Sequence, residues 1–212
     1  MITVSAFKWV PPFARGVVRD LRVRWALEEA GLPYKTQRLG QGENKSPAYR
    51  QSQPFGQVPT FEENGVNLFE SGAIVLHIAE RSETLLPKDE LGRARAIQWL
   101  FAALNTIEFP VMQLAGIDLF YADQAWAKER RPGAEEAVAM RFGELSAALG
   151  EREYLDERFT AADLLMSTVL RILHYRPFVE RFPTLLAYQR RCESRPAFKK
   201  ALQAQLDDFE AR

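Results

Sequence analysis

The chain has 212 residues, 47% of them hydrophobic and 26% charged, a composition typical of a globular protein with one or two domains. Its 28 basic and 28 acidic side chains cancel, so we expect neither nucleic acid nor a membrane as a partner. The single cysteine, Cys192, excludes an internal disulfide. Since the first residues show no leader pattern and no apolar run approaches roughly 18 residues, we expect a cytoplasmic protein.

The first part of the chain alternates strand and helix patterns. Residues 2–7 alternate apolar and polar side chains, as a half-buried strand does, and residues 34–39 form a second predicted strand. Between them, residues 17–30 carry a broad apolar face that ends at Gly31, which predicts a helix. A short helix is predicted to begin at Ser46-Pro47.

A hairpin follows. The runs 58–63 and 66–69 are separated by Asn64-Gly65, the strongest short signal for a tight turn between strands. A predicted helix over 71–81 completes the segment. The order of these elements predicts an α/β domain with a mixed four-stranded sheet.

Strand patterns stop after residue 82. Residues 83–92 are polar and contain a proline, so we interpret them as a linker between a first domain, 1–82, and an all-helical domain, 93–212. The second domain has five predicted helices, over residues 92–115, 134–149, 160–173, 183–194 and 196–209. Residues 116–133 match no single pattern, and Pro132-Gly133 predicts a break.

One helix start carries a specific signal. In Thr160-Ala161-Ala162-Asp163 the Thr160 hydroxyl can accept from the Asp163 N–H, and the Asp163 carboxylate can accept from the Thr160 N–H. We therefore assign this pair a folding role. Loss of such a cap costs roughly 1 kcal/mol or more.

The segment Gln53-Pro54-Phe55-Gly56-Gln57-Val58-Pro59-Thr60 is the first that indicates binding chemistry. If Val58-Pro59 is cis, the Val58 N–H and C=O are left free to pair with the backbone of a peptide ligand. If it is trans, the segment is an ordinary edge-strand proline. The dipeptide alone leaves both alternatives open.

Glu70 and Ser71 lie where the helix 71–81 is predicted to start. A serine at an electropositive helix N-terminus suits a carboxylate, and Glu70 suits an ammonium group, so together they could receive a free α-amino acid end. The alternative is an ordinary serine cap beside a charged residue. A single hairpin separates this pair from Val58-Pro59 and returns both to the same side of the sheet.

Four segments, in order, resemble the glutathione transferase superfamily over nearly the whole chain. They are residues 24–34, 53–59, 70–74 and 159–163. The resemblance, to a bacterial member, implies a thioredoxin-like N-terminal domain followed by an all-helical one. It also implies glutathione as co-substrate and a homodimer.

The same resemblance implies roles for individual residues. The Val58 backbone would pair with the cysteinyl part of glutathione beside a cis Pro59, and Glu70 and Ser71 would hold the γ-glutamyl end. Lys45 would neutralise the glycyl carboxylate. Asn44 lies in the same segment, and Gln57 would add a hydrogen bond.

One family feature is absent. Active members stabilise the glutathione thiolate with a Tyr, Ser or Cys that aligns here near Val17, and residues 7–29 contain none of these. Candidate substitutes are the backbone N–H groups of this loop, cationic side chains, and Phe13 in the same loop. They are Phe13, Arg15, Gly16, Val17, Arg19 and, from the helical half, Arg176.

Three functions fit these patterns: conjugation of glutathione to a small hydrophobic electrophile, a glutathione-dependent peroxidase activity, and non-catalytic binding of glutathione or another ligand. No metal site is predicted, and the missing cysteine argues against a mixed-disulfide reductase. The electrophile would need an apolar pocket. Candidate lining residues are Trp9, Phe13, Phe109, Met112, Phe120 and Tyr121.

Overall fold

The structure is a computed structural model that describes residues 1–210. In chain order its strands and helices are β1 (Ile2–Phe7), α1 (Asp20–Ala30), β2 (Tyr34–Leu39), α2 (Pro47–Arg50), β3 (Thr60–Glu63), β4 (Val66–Phe69), α3 (Ser71–Ala79), α4 (Glu90–Phe101), α5 (Glu108–Phe120), α6 (Ala125–Leu149), α7 (Ala161–Arg171), α8 (Pro183–Glu193) and α9 (Pro196–Glu210). They form two compact units. Unit 1 contains Met1–Lys88 and the chain from Ser194 onward, and unit 2 contains Asp89–Glu193.

Unit 1 is built on a four-stranded sheet in the order β2-β1-β3-β4. β1 and β2 run parallel, with Ile2 opposite Tyr34, whereas β3 is antiparallel to both β1 and β4. The Asn64-Gly65 turn joins β3 to β4, and both of its residues have positive φ. The predicted α/β domain with a mixed sheet is confirmed.

The last helix, α9, packs on α1 inside unit 1. The Trp25 and Phe198 rings meet edge to face with centroids 4.8 Å apart. Both guanidinium nitrogens of Arg195 that face Glu29 donate to its carboxylate, at 2.6 and 2.8 Å. The division into domains 1–82 and 93–212 stays a prediction. The packing of α9 on α1 places this helix in unit 1.

Unit 2 is helical, as predicted. Its central helix is α7, in which residues 161–170 are all buried. α7 packs against α4, α5 and α8, and α6 packs against α5 and α8. α4 begins at Glu90, inside the predicted linker, because the Asp89 carboxylate caps it by accepting from the Gly92 N–H at 2.7 Å.

Several predicted boundaries in the chain were wrong, and two of the differences have a clear structural cause. The helix predicted over 17–30 begins at Asp20, because Gly16 has φ 76° and the Val17 N–H closes a turn on the Ala14 carbonyl at 3.2 Å. The predicted break at Pro132-Gly133 is also wrong, since α6 runs through it. Burial of α6 side chains on both sides of the proline outweighs the missing hydrogen bond.

α4 and α5 are continuous through a π-helical turn over Ala102–Ile107. Pro110, which follows that turn, has no N–H for the Thr106 carbonyl, so a locally wider helix fits the sequence there. The resulting helix, Glu90–Phe120, is long and apolar enough by composition to cross a membrane, although 44% of its most apolar stretch is buried inside the structure. Core helices of water-soluble proteins pass the same test.

Candidate functional site

Three segments of unit 1 contain most of the residues predicted to bind a ligand: the loop before α1, the Gln53–Pro59 segment and the start of α3. The first two meet where Val18 packs against the buried cluster of Leu39, Tyr49 and Val58. The third segment meets α1 itself, where Arg22 contacts Ser71. The fold therefore gathers these segments around the N-terminal part of α1.

The Val58-Pro59 peptide bond is cis. Val58 lies two residues before Thr60, the first residue of β3, so its backbone lies outside the sheet ladder. Within residues 1–210, neither the N–H nor the C=O of Val58 forms a hydrogen bond. One free donor and one free acceptor on the same residue form the pattern that pairs with an extended peptide backbone.

A buried hydroxyl cluster supports this segment, and the sequence analysis missed it. The Ser5 Oγ accepts from the Thr60 N–H at 2.7 Å and the Thr60 hydroxyl at 2.9 Å, and it lies 2.8 Å from the Tyr49 Oη. The Tyr49 hydroxyl donates to the Gln57 carbonyl at 2.7 Å, so its oxygen must accept the Ser5 proton. Burial raises the pKa of Tyr49, which keeps its donor proton in place.

The predicted residues Asn44 and Lys45 lie in a short 3-10 turn, Glu43–Lys45. The Asn44 amide donates to the Gly56 carbonyl at 2.6 Å and so ties this turn to the Gln53–Pro59 segment. Gly56 has φ 63°, and a Cβ there would lie 2.8 Å from the Asn44 carbonyl oxygen, so only glycine fits. Lys45 and Gln57 are exposed on either side of this junction.

Glu70 and Ser71 differ sharply in exposure. Glu70 is exposed and has φ 69°, a conformation that costs a non-glycine residue roughly 1–3 kcal/mol. Ser71, the first residue of α3, is 4% exposed, and its Oγ accepts from Arg22 Nη1 at 3.3 Å. The Ser71 oxygen is therefore bonded to a guanidinium that is itself only 3% exposed.

The loop before α1 contains five of the six candidate thiolate groups. Phe13 lies in a 3-10 turn, Pro12–Ala14, and Arg19 is the residue preceding α1. Gly16 and Val17 do not lie at a helix N-terminus, since α1 begins at Asp20, and the Val17 N–H is already bonded to Ala14. The Arg15 Nε is buried and, among the described residues, has no hydrogen-bond partner.

Known proteins match this architecture. The model of the glutathione S-transferase N-terminal domain matches residues 14–80. Glutathione S-transferase F9 from Arabidopsis thaliana is 32% identical over 151 residues, which is 65% of this chain and 68% of that protein. The chain belongs to the glutathione S-transferase family.

Two other similarities extend this result. Elongation factor 1-gamma from Artemia salina is 34% identical over 148 residues, 66% of this chain but 32% of that protein. A glutathione transferase family member from Pseudomonas fluorescens pf-5, solved with two glutathione bound, has a TM-score of 0.83 at 24% identity and covers 95% of this chain and 92% of that one. The latter shows the shared fold, a thioredoxin-like domain followed by helices, which confirms the predicted architecture.

Arg176, the sixth thiolate candidate, lies in unit 2, where it is paired with two carboxylates. Its guanidinium donates to Asp118 at 2.9 Å and to Glu135 at 3.0 Å. Burial alone would lower the pKa of Arg176, but these two carboxylates raise it above its ordinary value. This arginine therefore belongs to an ion-pair cluster, and we do not retain it as a thiolate donor.

The predicted capping box of α7, a folding element of unit 2, is present. Asp163 Oδ2 accepts from the Thr160 N–H at 2.9 Å, and the Thr160 Oγ1 accepts from the Ala162 N–H at 3.3 Å. The other oxygen of Asp163 accepts from the Leu155 N–H at 2.9 Å and the Tyr188 hydroxyl at 3.0 Å. Asp163 is fully buried, so its role is structural.

The predicted apolar pocket residues fall in both units. Met112 and Tyr121 line a cavity of about 320 Å³ in unit 2, together with Trp126 and Arg130. Phe109 lines a neighbouring cavity of about 360 Å³. Phe120 is 64% exposed, and Trp9 and Phe13 belong to unit 1. In the part of the chain that the structure describes, no group of three side chains suits a metal ion.

Proposed function

We propose that this protein binds glutathione in unit 1 and conjugates its thiolate to small hydrophobic electrophiles. The observation that carries the proposal is the unpaired backbone of Val58 in a member of this family. The proposed binding residues are Asn44, Lys45, Gln57, Val58, Pro59, Glu70 and Ser71. The glutathione bound in the Pseudomonas relative supports the choice of ligand.

Each part of the tripeptide has a matching group. The N–H and C=O of Val58 would pair with the backbone of the cysteinyl residue, next to Pro59. Glu70 would accept from the γ-glutamyl ammonium, and Ser71 would donate to its carboxylate. Lys45, on the turn that Asn44 anchors, would face the glycyl carboxylate, with Gln57 adding a hydrogen bond.

Arg15 is our leading candidate for the thiolate donor. Its buried Nε–H has no acceptor among residues 1–210, and an unsatisfied buried donor favours a ligand that brings an acceptor. A thiolate is such an acceptor. A fixed positive charge beside it lowers the thiol pKa from its usual value near 8.5, and this raises the fraction of reactive thiolate at neutral pH.

A second candidate function is binding without catalysis. Val17 aligns with the position at which active members have a side-chain donor. In addition, one similar protein is named as an elongation factor, not as a transferase. In that case glutathione would bind with an unchanged thiol pKa. The two functions make the same binding prediction and opposite predictions for the thiol.

Calorimetric titration with glutathione, combined with the ultraviolet absorbance of its thiolate at several pH values, separates the two. We expect binding and a lowered thiol pKa, and we expect Arg15→Met to return the pKa toward that of free glutathione. Arg38→Met, on an exposed β2 arginine, is the matched control. Binding with an unshifted thiol would leave a receptor, and no binding would overturn the proposal.

We also propose that the protein is a cytoplasmic homodimer, as the resemblance implies. Large apolar side chains are exposed on both units, and such surfaces are typical of association sites. Among the phenylalanines of residues 1–210, the most exposed are Phe55, Phe109 and Phe120. Sedimentation equilibrium tests this directly, and a monomer at all concentrations would contradict it.

A further inference from the structure

Arg22 is a buried cation at the predicted γ-glutamyl end of the site. It lies on α1 and is 3% exposed, and its Nη1 is 3.3 Å from the Ser71 Oγ at the start of α3. Only 4% of Ser71 is exposed. Nothing in the local sequence of α3 indicates this contact, because 49 residues separate the two partners.

The chemistry of this contact is one-directional. A guanidinium donates hydrogen bonds and cannot accept them, so the Ser71 oxygen must be the acceptor. The Ser71 proton is then directed away from Arg22. A hydroxyl with its oxygen engaged in this way donates to a ligand, and a positively charged partner strengthens that donation.

We propose that Arg22 is a positioning residue that holds Ser71 as a hydrogen-bond donor, so that this end of the site selects a carboxylate. The inference rests on the proposed function, since it concerns how the same site recognises glutathione. Arg22 acts through Ser71, and its charge favours the ionised form of the ligand's acid group.

Glu70 supplies the complementary half of this recognition. It is exposed and adjacent to Ser71, and its ionised carboxylate can only accept. The Ser71 hydroxyl, held as a donor by Arg22, matches the carboxylate of a free amino acid end. The Glu70 carboxylate, held by its backbone geometry, matches the ammonium group. The site would therefore distinguish glutathione from a peptide whose first residue lacks the α-carboxylate.

The test compares two ligands on the full-length protein by calorimetry: glutathione and the analogue in which hydrogen replaces the γ-glutamyl α-carboxylate. In the wild-type protein we expect the analogue to bind about tenfold or more weakly, as for a charge-assisted hydrogen bond. Arg22→Met should shrink this ratio of dissociation constants toward one. Arg22→Lys, which also only donates, should retain most of it.

Further variants separate positioning from a general structural role. Ser71→Ala should shrink the ratio as well, and adding Arg22→Met to it should change the ratio no further. Arg22→Gln, which can accept the Ser71 proton, should behave like Arg22→Met and serves if the latter does not fold by circular dichroism. The control Arg38→Met should leave the ratio unchanged.

An unchanged ratio in Arg22→Met, or in Arg22→Gln if only that variant folds, would overturn the inference. So would a wild-type protein that binds both ligands equally, a result that would leave the proposed glutathione binding intact. A wild-type protein that binds neither ligand would overturn the proposed function itself.

Discussion

The side-chain amide of Gln205 on α9 donates to the Asp20 carboxylate at the start of α1, with Nε2 2.7 Å from Oδ1. The same nitrogen lies 3.2 Å from the Val18 carbonyl oxygen. Asp20 and Gln205 are both fully buried. The C-terminal helix thereby holds the loop that contains the candidate thiolate donors, so the end of the chain is coupled to the site through two side chains.

Removal of the Asp20 carboxylate should destabilise the fold. Arg24, only 1% exposed, donates to the Asp20 carboxylate at 2.8 Å, and without that carboxylate its guanidinium would keep Asp208 and the Ala204 carbonyl on α9 as acceptors. Because loss of one member of a buried ion pair typically costs about 3–5 kcal/mol, and Asp208 remains as a second partner, we expect Asp20→Ala to lower the free energy of unfolding by about 3 kcal/mol, the lower end of that range. Urea denaturation measures this. The exposed Asp207 on α9 is the control, and an equal loss in Asp207→Ala would contradict the explanation.

Glu70 should show opposite effects on stability and on binding. Its φ of 69° favours glycine, so Glu70→Gly relieves the strained backbone while it removes the proposed ammonium acceptor. We expect a melting temperature equal to or above that of the wild type, together with glutathione affinity lower by about tenfold or more. Glu70→Gln keeps the strain and should lose affinity without gaining stability. Unchanged affinity in Glu70→Gly would remove Glu70 from the site.

Gly56 and Gly65 allow steric crowding to be separated from backbone strain. Both have positive φ, but a Cβ at Gly56 would lie 2.8 Å from the Asn44 carbonyl oxygen, whereas a Cβ at Gly65 would meet nothing within 4 Å. Gly65→Ala should therefore cost roughly 1–2 kcal/mol, the cost of left-handed backbone alone. Gly56→Ala should cost more in urea denaturation and also weaken glutathione binding. Equal costs would show that the contact with Asn44 is not limiting.

The α/β half of the fold was predictable because its signals are local. Alternation located β1 at its observed bounds, the strand predicted over 34–39 matches β2, and Asn64-Gly65 placed the hairpin. The error at Pro132-Gly133 arose where packing decides the structure. α6 continues through Pro132 because its side chains bury on both sides, and packing of that kind cannot be read from the proline itself.

The candidate site was predictable only in part, for the same reason. The segments at Val58 and Glu70 have sequence signatures, whereas Arg22, Ser5 and Gln205 take their importance from partners 49, 55 and 185 residues away. The one sequence signal that could have identified Arg22 is a charged residue among apolar neighbours. Arg22 lies between Leu21 and Val23 on a mostly buried helix, and a buried cation requires an acceptor.

The two residues of the capping box should differ in their contribution to stability. Asp163→Ala would leave the buried donors of Leu155, Thr160 and Tyr188 without an acceptor, for an expected loss of about 3 kcal/mol or more in unfolding free energy. Thr160→Ala removes one cap and should cost about 1–2 kcal/mol. Urea denaturation of both variants checks the order. The reverse order would show that the carboxylate contributes less than the hydroxyl.

The ion-pair cluster of unit 2 should make the protein sensitive to acid. Burial alone would raise the pKa of Asp118, but hydrogen bonds from Arg131, Tyr175 and Arg176 lower it below its ordinary value. The hydrogen bond from Arg176 likewise lowers the pKa of Glu135. A carboxyl group with a lowered pKa in the folded state stabilises the protein above its unfolded pKa, near 4, and loses that contribution as the pH falls through the folded value.

We therefore expect the melting temperature to fall steeply below about pH 4, and Asp118→Asn to flatten that dependence while lowering the melting temperature at neutral pH. Thermal melts followed by circular dichroism between neutral and acidic pH provide the measurement. Glu144, whose exposed side chain pairs with Arg141 in the same helix, is the matched control, and Glu144→Gln should keep the wild-type profile. If Asp118→Asn also kept the wild-type pH profile, the acid sensitivity would have to arise from other carboxylates. A lowered pKa of Asp118 in the folded state requires that its protonation reduce stability, and the Asn variant removes that protonation.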